Sequence, residues 1–218
     1  MSDVKRVQEQ LASWLRLAPV VPILTMDNAT AAVAVARALV AGGLPVIEVT
    51  LRTGAALDAV RAISREVDGA VVGAGTILST RQLDAAREAG ARFGVSPGST
   101  PALLAAAVDA EFPYLPGAST PAEVMALRQQ DIRIVKFFPA AAAGGVAWLR
   151  ALAAPMPDVR FCATGGIDAA GAKAYLALSN VIAVGGSWLA PPELIATQSW
   201  DAIQDLARAA AALRPGAT

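Results

Sequence analysis

The chain has 218 residues, 55% hydrophobic and 17% charged, and its 18 basic and 18 acidic side chains cancel to a formal net charge of zero. Balanced charge leaves no electrostatic footprint for nucleic acid or an anionic membrane surface, and no uninterrupted apolar run reaches the ~20 residues of a membrane span. One cysteine and no histidine exclude an intramolecular disulfide, a Cys/His metal site and a Ser-His-Asp triad, so Lys, Glu, Asp, Arg, Ser, Thr or backbone groups must carry any catalysis on a small molecule.

In chain order, residues 1–18 come first, with Asp3, Lys5, Arg6 and Glu9 ahead of any apolar stretch; they read as an amphipathic helix rather than an export signal. Together with the lone thiol this points to a reducing cytoplasm. From Val20 onward, β-branched runs alternate with alanine-rich segments of helical period. The predicted strands are 20–24, 46–51, 71–74, 92–95, 114–116, 132–137, 160–163 and 181–185, each followed by a predicted helix. Ser79 with Gln82, Thr100 before Pro101, and Thr120 before Pro121 with Glu123 are helix starts: a hydroxyl caps the first turn and proline tolerates the first helical position.

The junctions at 97–101 and 116–121 resemble each other, as repeats of one βα unit do. Eight such units, with no glycine-rich dinucleotide turn after Leu24, predict a closed parallel barrel rather than an open doubly wound sheet. The expectation is an α/β fold: a single (β/α)8 TIM barrel with an extra N-terminal helix. It forms one domain over 1–218, with a helix at 1–18, the barrel strands within 19–190 and a C-terminal helix at 191–218.

Strand alternation puts Glu48, Thr50 and Arg52 on one face of the second strand and Ile47, Val49 and Leu51 on the other. In a barrel the apolar face meets the helices. A carboxylate and a guanidinium are then left facing inward toward the strand's C-terminal end, where barrel enzymes place their chemistry. A structural Glu48–Arg52 pair is the plainer alternative. Only Lys5, Lys136 and Lys173 are lysines, and Lys136 sits in an apolar strand, where burial favours the neutral amine that attacks a carbonyl. A snorkelling or ion-paired lysine is the competing explanation.

Thr164-Gly165-Gly166 and Gly185-Gly186-Ser187 follow the seventh and eighth strands, where backbone amides of barrel loops commonly bind phosphate. Thr76 ends the third strand with a hydroxyl at the mouth, and Ser96-Pro97-Gly98 does the same after the fourth, which makes Thr76 and Pro97 candidate substrate contacts, with ordinary turn chemistry as the plainer alternative. Cys162 and the four tryptophans read as packing residues.

With these motifs, and with Lys136-Phe137-Phe138-Pro139-Ala140 and Gly185-Gly186-Ser187-Trp188, the chain resembles the 2-dehydro-3-deoxy-phosphogluconate aldolase family over residues 19–189. These Entner–Doudoroff enzymes are also described as 4-hydroxy-2-oxoglutarate aldolases. The resemblance implies a homotrimeric class I aldolase with no metal or cofactor. Its partner is a phosphorylated 2-oxo acid, cleaved to pyruvate and glyceraldehyde 3-phosphate, and 4-hydroxy-2-oxoglutarate would yield pyruvate and glyoxylate. By motif position Lys136 resembles the Schiff-base lysine, Glu48 the general acid/base, and Arg52 with Thr76 the carboxylate-binding pair. Phe138 would pack on the imine, and Thr164, Gly165, Gly166, Gly186 and Ser187 would hold the distal hydroxyl and phosphate.

Ala141, Ala143 and Ala163 depart from the Glu, Asn and Pro common in that family, which leaves substrate preference and loop rigidity open. Two other assignments also stay open: the sister aldolase for 2-dehydro-3-deoxy-6-phosphogalactonate, and a noncovalent phosphate-binding barrel isomerase or epimerase in which Lys136 is only a point charge.

Overall fold

The structure, a computed structural model, describes residues 3–213. Its first element, α1 (Asp3–Leu15), buries Val7, Gln8, Leu11, Ala12 and Leu15, the stripe that a helical period of 3.6 brings to one side. Parallel strands then alternate with helices: β1 (Val20–Leu24), α2 (Ala29–Ala41), β2 (Val46–Thr50), α3 (Ala56–Glu66), β3 (Val71–Gly75), α4 (Thr80–Glu88), β4 (Phe93–Val95), α5 (Pro101–Asp109), β5 (Tyr114–Leu115), β6 (Gly117–Ala118), α6 (Pro121–Gln129), β7 (Ile134–Phe137), α7 (Gly145–Ala153), β8 (Arg160–Thr164), α8 (Ala169–Leu176) and β9 (Val181–Gly186). Two C-terminal helices follow, α9 (Pro192–Ala196) and α10 (Trp200–Ala211). The strands form one nearly closed parallel sheet in the order β5-β4-β3-β2-β1-β9-β8-β7-β6. This is the expected (β/α) barrel with an extra N-terminal helix.

Three expectations need correction. The fifth strand, expected as 114–116, breaks at Pro116, which has no amide hydrogen to offer a ladder. Its first half pairs with β4 and its second with β7, so the ring closes through the covalent chain at Pro116. Gln8 of α1 spans the seam below that point: its Nε2 donates to the Tyr114 carbonyl at 3.3 Å, and its Oε1 accepts from the amides of Arg133 at 3.0 Å and Ile134 at 2.8 Å.

The second strand stops at Thr50 rather than continuing through residue 51, and Leu51 and Arg52 lie in the turn that follows. Arg52 is therefore exposed and does not extend the Glu48–Thr50 face. The C-terminal helix expected over 191–218 is two helices with Gln198 at φ 53 between them, and residues 214–218 lie outside the described residues.

The helix starts form as read. Thr120 and Glu123 make a full capping box, and the Glu123 carboxyl is held below its ordinary pKa, first by the Ser119 amide. Thr100 caps α5 through the Leu103 amide. Ser79 caps α4 through Gln82, whose own side chain reaches back to the Leu78 amide.

Period-2 alternation divides the buried side chains into two cores. Ile47, Val49, Val72, Val135, Phe137, Phe161 and Val184 face the helices. Val21, Val46, Phe93, Val95, Leu115, Ile134, Cys162 and Ala183 face inward, and Leu11, Ala12 and Leu15 of α1 plug the N-terminal opening beneath them. Phe93 fills the middle of this floor because Gly73 on the neighbouring strand has no Cβ to meet its ring.

Candidate active site

Above the apolar floor the inward positions turn polar. On β2 the residue after Val46 on that face is Glu48, and on β7 the residue after Ile134 is Lys136. They are 3% and 5% exposed, and Lys136 Nζ lies 3.2 Å from Glu48 Oε1 and 3.4 Å from Oε2. Placing two charges in a barrel core costs solvation that an apolar pair would avoid, so such a pair is poor evidence for stability and better evidence for chemistry. Gly75 makes room for it: a Cβ there would run into the Glu48 carboxylate. The plainer alternative of a Glu48–Arg52 pair is not what forms; among the described residues the ion-pair partner of Glu48 is Lys136.

Two neighbours complete the lysine's surroundings. Its Nζ lies 5.5 Å from the centroid of the Phe138 ring, within cation–π range. Cys162 is its partner across the β7–β8 ladder and is fully buried. Burial pushes the thiol up to about 12, and the Glu48 charge adds to that rise while Lys136 and a hydrogen bond with Thr164 oppose it. Cys162 is a protonated wall of the site, in line with its expected packing role.

The remaining predicted residues sit on the loops around the C-terminal rim. Thr164 ends β8 and is buried. Its carbonyl accepts from the Ala140 amide at 2.7 Å, and that of Gly165 accepts from the Ala141 amide at 3.0 Å, so the loops after β7 and β8 are zipped together. Gly165 at φ 103 and Gly166 at φ 70 occupy the left-handed region, and Gly165 lies close against the Phe138 ring. Gly186, the last residue of β9, lies against the Trp188 ring, and Ser187 beyond it is exposed.

Thr76 follows β3 at φ 60, where a β-branched side chain is strained; outliers of this kind cluster at working sites. Pro97 follows β4, and its carbonyl packs where a side chain on Gly117 would stand.

A cleft of about 610 Å³ opens at the rim between β1 and β9, with Arg52, Ser187, Ile23, Thr25 and Asn28 among its walls. The predicted residues thus fall into three groups at one end of the barrel: Lys136, Glu48, Phe138 and the 164–166 loop at the centre, Arg52 and Ser187 on the cleft, and Thr76 and Pro97 on the loops after β3 and β4. Sequence reasoning passed over Thr25. The signal was present, since Val21, Ile23 and Thr25 share the inward parity of the first strand.

The arrangement supplies an amine, a carboxylate within proton-transfer distance, a guanidinium at the rim and glycine-rich loops for an anion. That set suits carbonyl chemistry through an imine on a phosphorylated acid.

Comparison with known proteins agrees. The family model for KDPG and KHG aldolase matches residues 11–206. The KHG/KDPG aldolase of Escherichia coli strain K12 is 48% identical, covering 95% of this chain and 97% of the relative. The crystal structure of the 2-keto-3-deoxy-6-phosphogluconate aldolase of Zymomonas mobilis ZM4 with 3-phosphoglycerate superposes with a TM-score of 0.90 at 43% identity, covering 97% of this chain and 99% of that one. The KDPG aldolase of Legionella pneumophila, with pyruvate captured at low pH as a covalent carbinolamine intermediate, gives a TM-score of 0.90 at 40% identity, covering 93% and 98%. On the family model and these identities, the chain belongs to the KDPG and KHG aldolase family.

Proposed function

We propose that this protein is a class I aldolase that cleaves 2-dehydro-3-deoxy-6-phosphogluconate to pyruvate and glyceraldehyde 3-phosphate through a Schiff base on Lys136. The observation that carries the proposal is the buried contact of Lys136 Nζ with both carboxylate oxygens of Glu48. Relatives that bear the aldolase name at 40–48% identity support the substrate. The same site would split 4-hydroxy-2-oxoglutarate to pyruvate and glyoxylate.

Transfer of the ammonium proton from Lys136 to Glu48 leaves a neutral amine beside a carboxylic acid. The amine adds to C2 of the 2-oxo acid, and Glu48 returns a proton as the carbinolamine loses water to form an iminium. Glu48, again a carboxylate, takes the proton of the C4 hydroxyl. The C3–C4 pair flows into the iminium as that bond breaks, and the aldehyde leaves. The resulting enamine takes a proton at C3 from Glu48, and water hydrolyses the iminium to pyruvate, which returns Lys136 as the ammonium beside the Glu48 carboxylate.

Arg52 and Thr76 hold the carboxylate, Phe138 and Pro97 flank the imine, and Thr164, Gly165, Gly166, Gly186 and Ser187 receive the distal hydroxyl and phosphate. The chain acts as one domain, in the cytoplasm, as a homotrimer. The exposed Leu78 and Met125 are consistent with assembly, and light scattering at three times the 22.2 kDa chain mass is the expected result.

Borohydride reduction in the presence of pyruvate, followed by peptide mass mapping, tests the covalent step. Reduced pyruvate on Lys136 is expected. A chain that stays unmodified under conditions that trap a known class I aldolase would move the noncovalent isomerase to the front.

A further inference from the structure

Thr25 lies one residue beyond β1 and lines the rim cleft with Arg52 and Ser187. Its Oγ1 is 2.9 Å from Oγ1 of Thr50, a fully buried hydroxyl on the same inward face of β2 as Glu48. Distance alone lets either oxygen donate. Thr50 Oγ1, however, also stands 3.0 Å from the carbonyl oxygen of Leu24, which only accepts, so the single proton of Thr50 is committed there. Thr25 then donates to Thr50, so its hydroxyl can offer a ligand in the cleft only lone pairs. Its only proton is spent, so it can accept from a ligand hydroxyl and has nothing to offer a phosphate, carboxylate or carbonyl oxygen.

We infer that Thr25 is a specificity-determining residue that accepts a hydrogen bond from a hydroxyl on the aldehyde half of the substrate, with the Thr25–Thr50–Leu24 relay fixing it as an acceptor. Its neighbours on the cleft match this division of labour. Arg52 and Ser187 carry donors for the anionic ends of the ligand, while Thr25 supplies an acceptor for the part of the chain between them. Ile23 adds apolar wall below it. The inference rests on the aldolase reading above.

The test compares condensation of pyruvate with D-glyceraldehyde 3-phosphate and with 3-oxopropyl phosphate, the same phosphorylated aldehyde without the hydroxyl. The ratio of the two kcat/KM values measures recognition of that hydroxyl. Thr25→Val, which keeps the shape and removes the acceptor, is expected to lower this ratio about three- to tenfold, the range of one neutral hydrogen bond, and Thr25→Ser is expected to restore it. An unchanged ratio, or equal losses on both aldehydes, overturns the assignment. If Thr25→Val does not accumulate as folded protein, Thr25→Ala is read by the same ratio. Borohydride trapping of pyruvate on the wild-type chain separates the two claims: no adduct sinks the aldolase reading, whereas an adduct with an unchanged ratio sinks only the role of Thr25.

Discussion

Lys136 and Glu48 are 88 positions apart in the chain, yet Nζ of the one lies within 3.4 Å of both carboxylate oxygens of the other inside the barrel. In this pair each partner compensates the other's buried charge, and the proposed mechanism passes a proton between them.

Removing one member should separate the covalent step from proton transfer. Lys136→Met is expected to abolish pyruvate trapping. Glu48→Gln is expected to lower turnover by ~10²–10⁴, the usual range for a positioned general acid/base. Each single change also strands a buried charge, at a cost of about 3–5 kcal/mol, while the double variant should recover much of that loss. Urea denaturation of the three variants checks the stability pattern, and a Glu48→Gln enzyme with full turnover would overturn the proton-transfer role.

Gly75 owes its identity to Glu48. A methyl group there overlaps the carboxylate, so Gly75→Ala is expected to displace Glu48, lower turnover and cost about 1–3 kcal/mol of stability through overpacking. Full activity at wild-type stability would mean that the strand accommodates the methyl group without moving the carboxylate.

Cys162 should be chemically silent in the native protein. Burial raises its thiol pKa from 9.0 to about 12, so a disulfide reagent at neutral pH is expected to label the denatured chain and not the folded one. Folding therefore favours the protonated form. The associated stability is fully present below pH 9.0 and is lost as pH rises toward about 12. Cys162→Ala is expected to show a shallower fall in denaturation midpoint across that window.

Gln8 holds the barrel seam and lies outside the candidate active site. Gln8→Ala leaves the Arg133 and Ile134 amides and the Tyr114 carbonyl without their side-chain partner, which should cost on the order of 2 kcal/mol. A lower Tm with pyruvate trapping retained is the expected pattern. A wild-type Tm would show that water or a shifted strand replaces these bonds.

The individual elements of this protein were legible in its sequence because their causes are local. β-Branched runs marked the strands within two residues at each end, apart from the proline break, and Ser79, Thr100 and Thr120 announced their helices through bonds that span three residues. Lys136 and Glu48 stood out individually because an ionisable group in an apolar strand needs a partner or a task, and period-2 alternation told which way each pointed.

Their partnership, which only the family resemblance anticipated, was not legible in the local pattern. It arises from the closure of a ring in which β2 and β7 face each other, and the local spacing of Glu48 and Arg52 suggested a different pair. Arg52 left that face because β2 ends at Thr50, and the break at Pro116 became visible only once β5 and β6 had different neighbours to pair with. The proton direction at Thr25 likewise depends on Thr50 and on the Leu24 carbonyl, which meet only when β1 and β2 are aligned side by side. The sequence by itself determined which residues are helical, which are extended and which side chains are too polar for their surroundings. Only the tertiary structure decided which of those side chains meet, because strand register and ring closure are set by packing summed over the whole barrel.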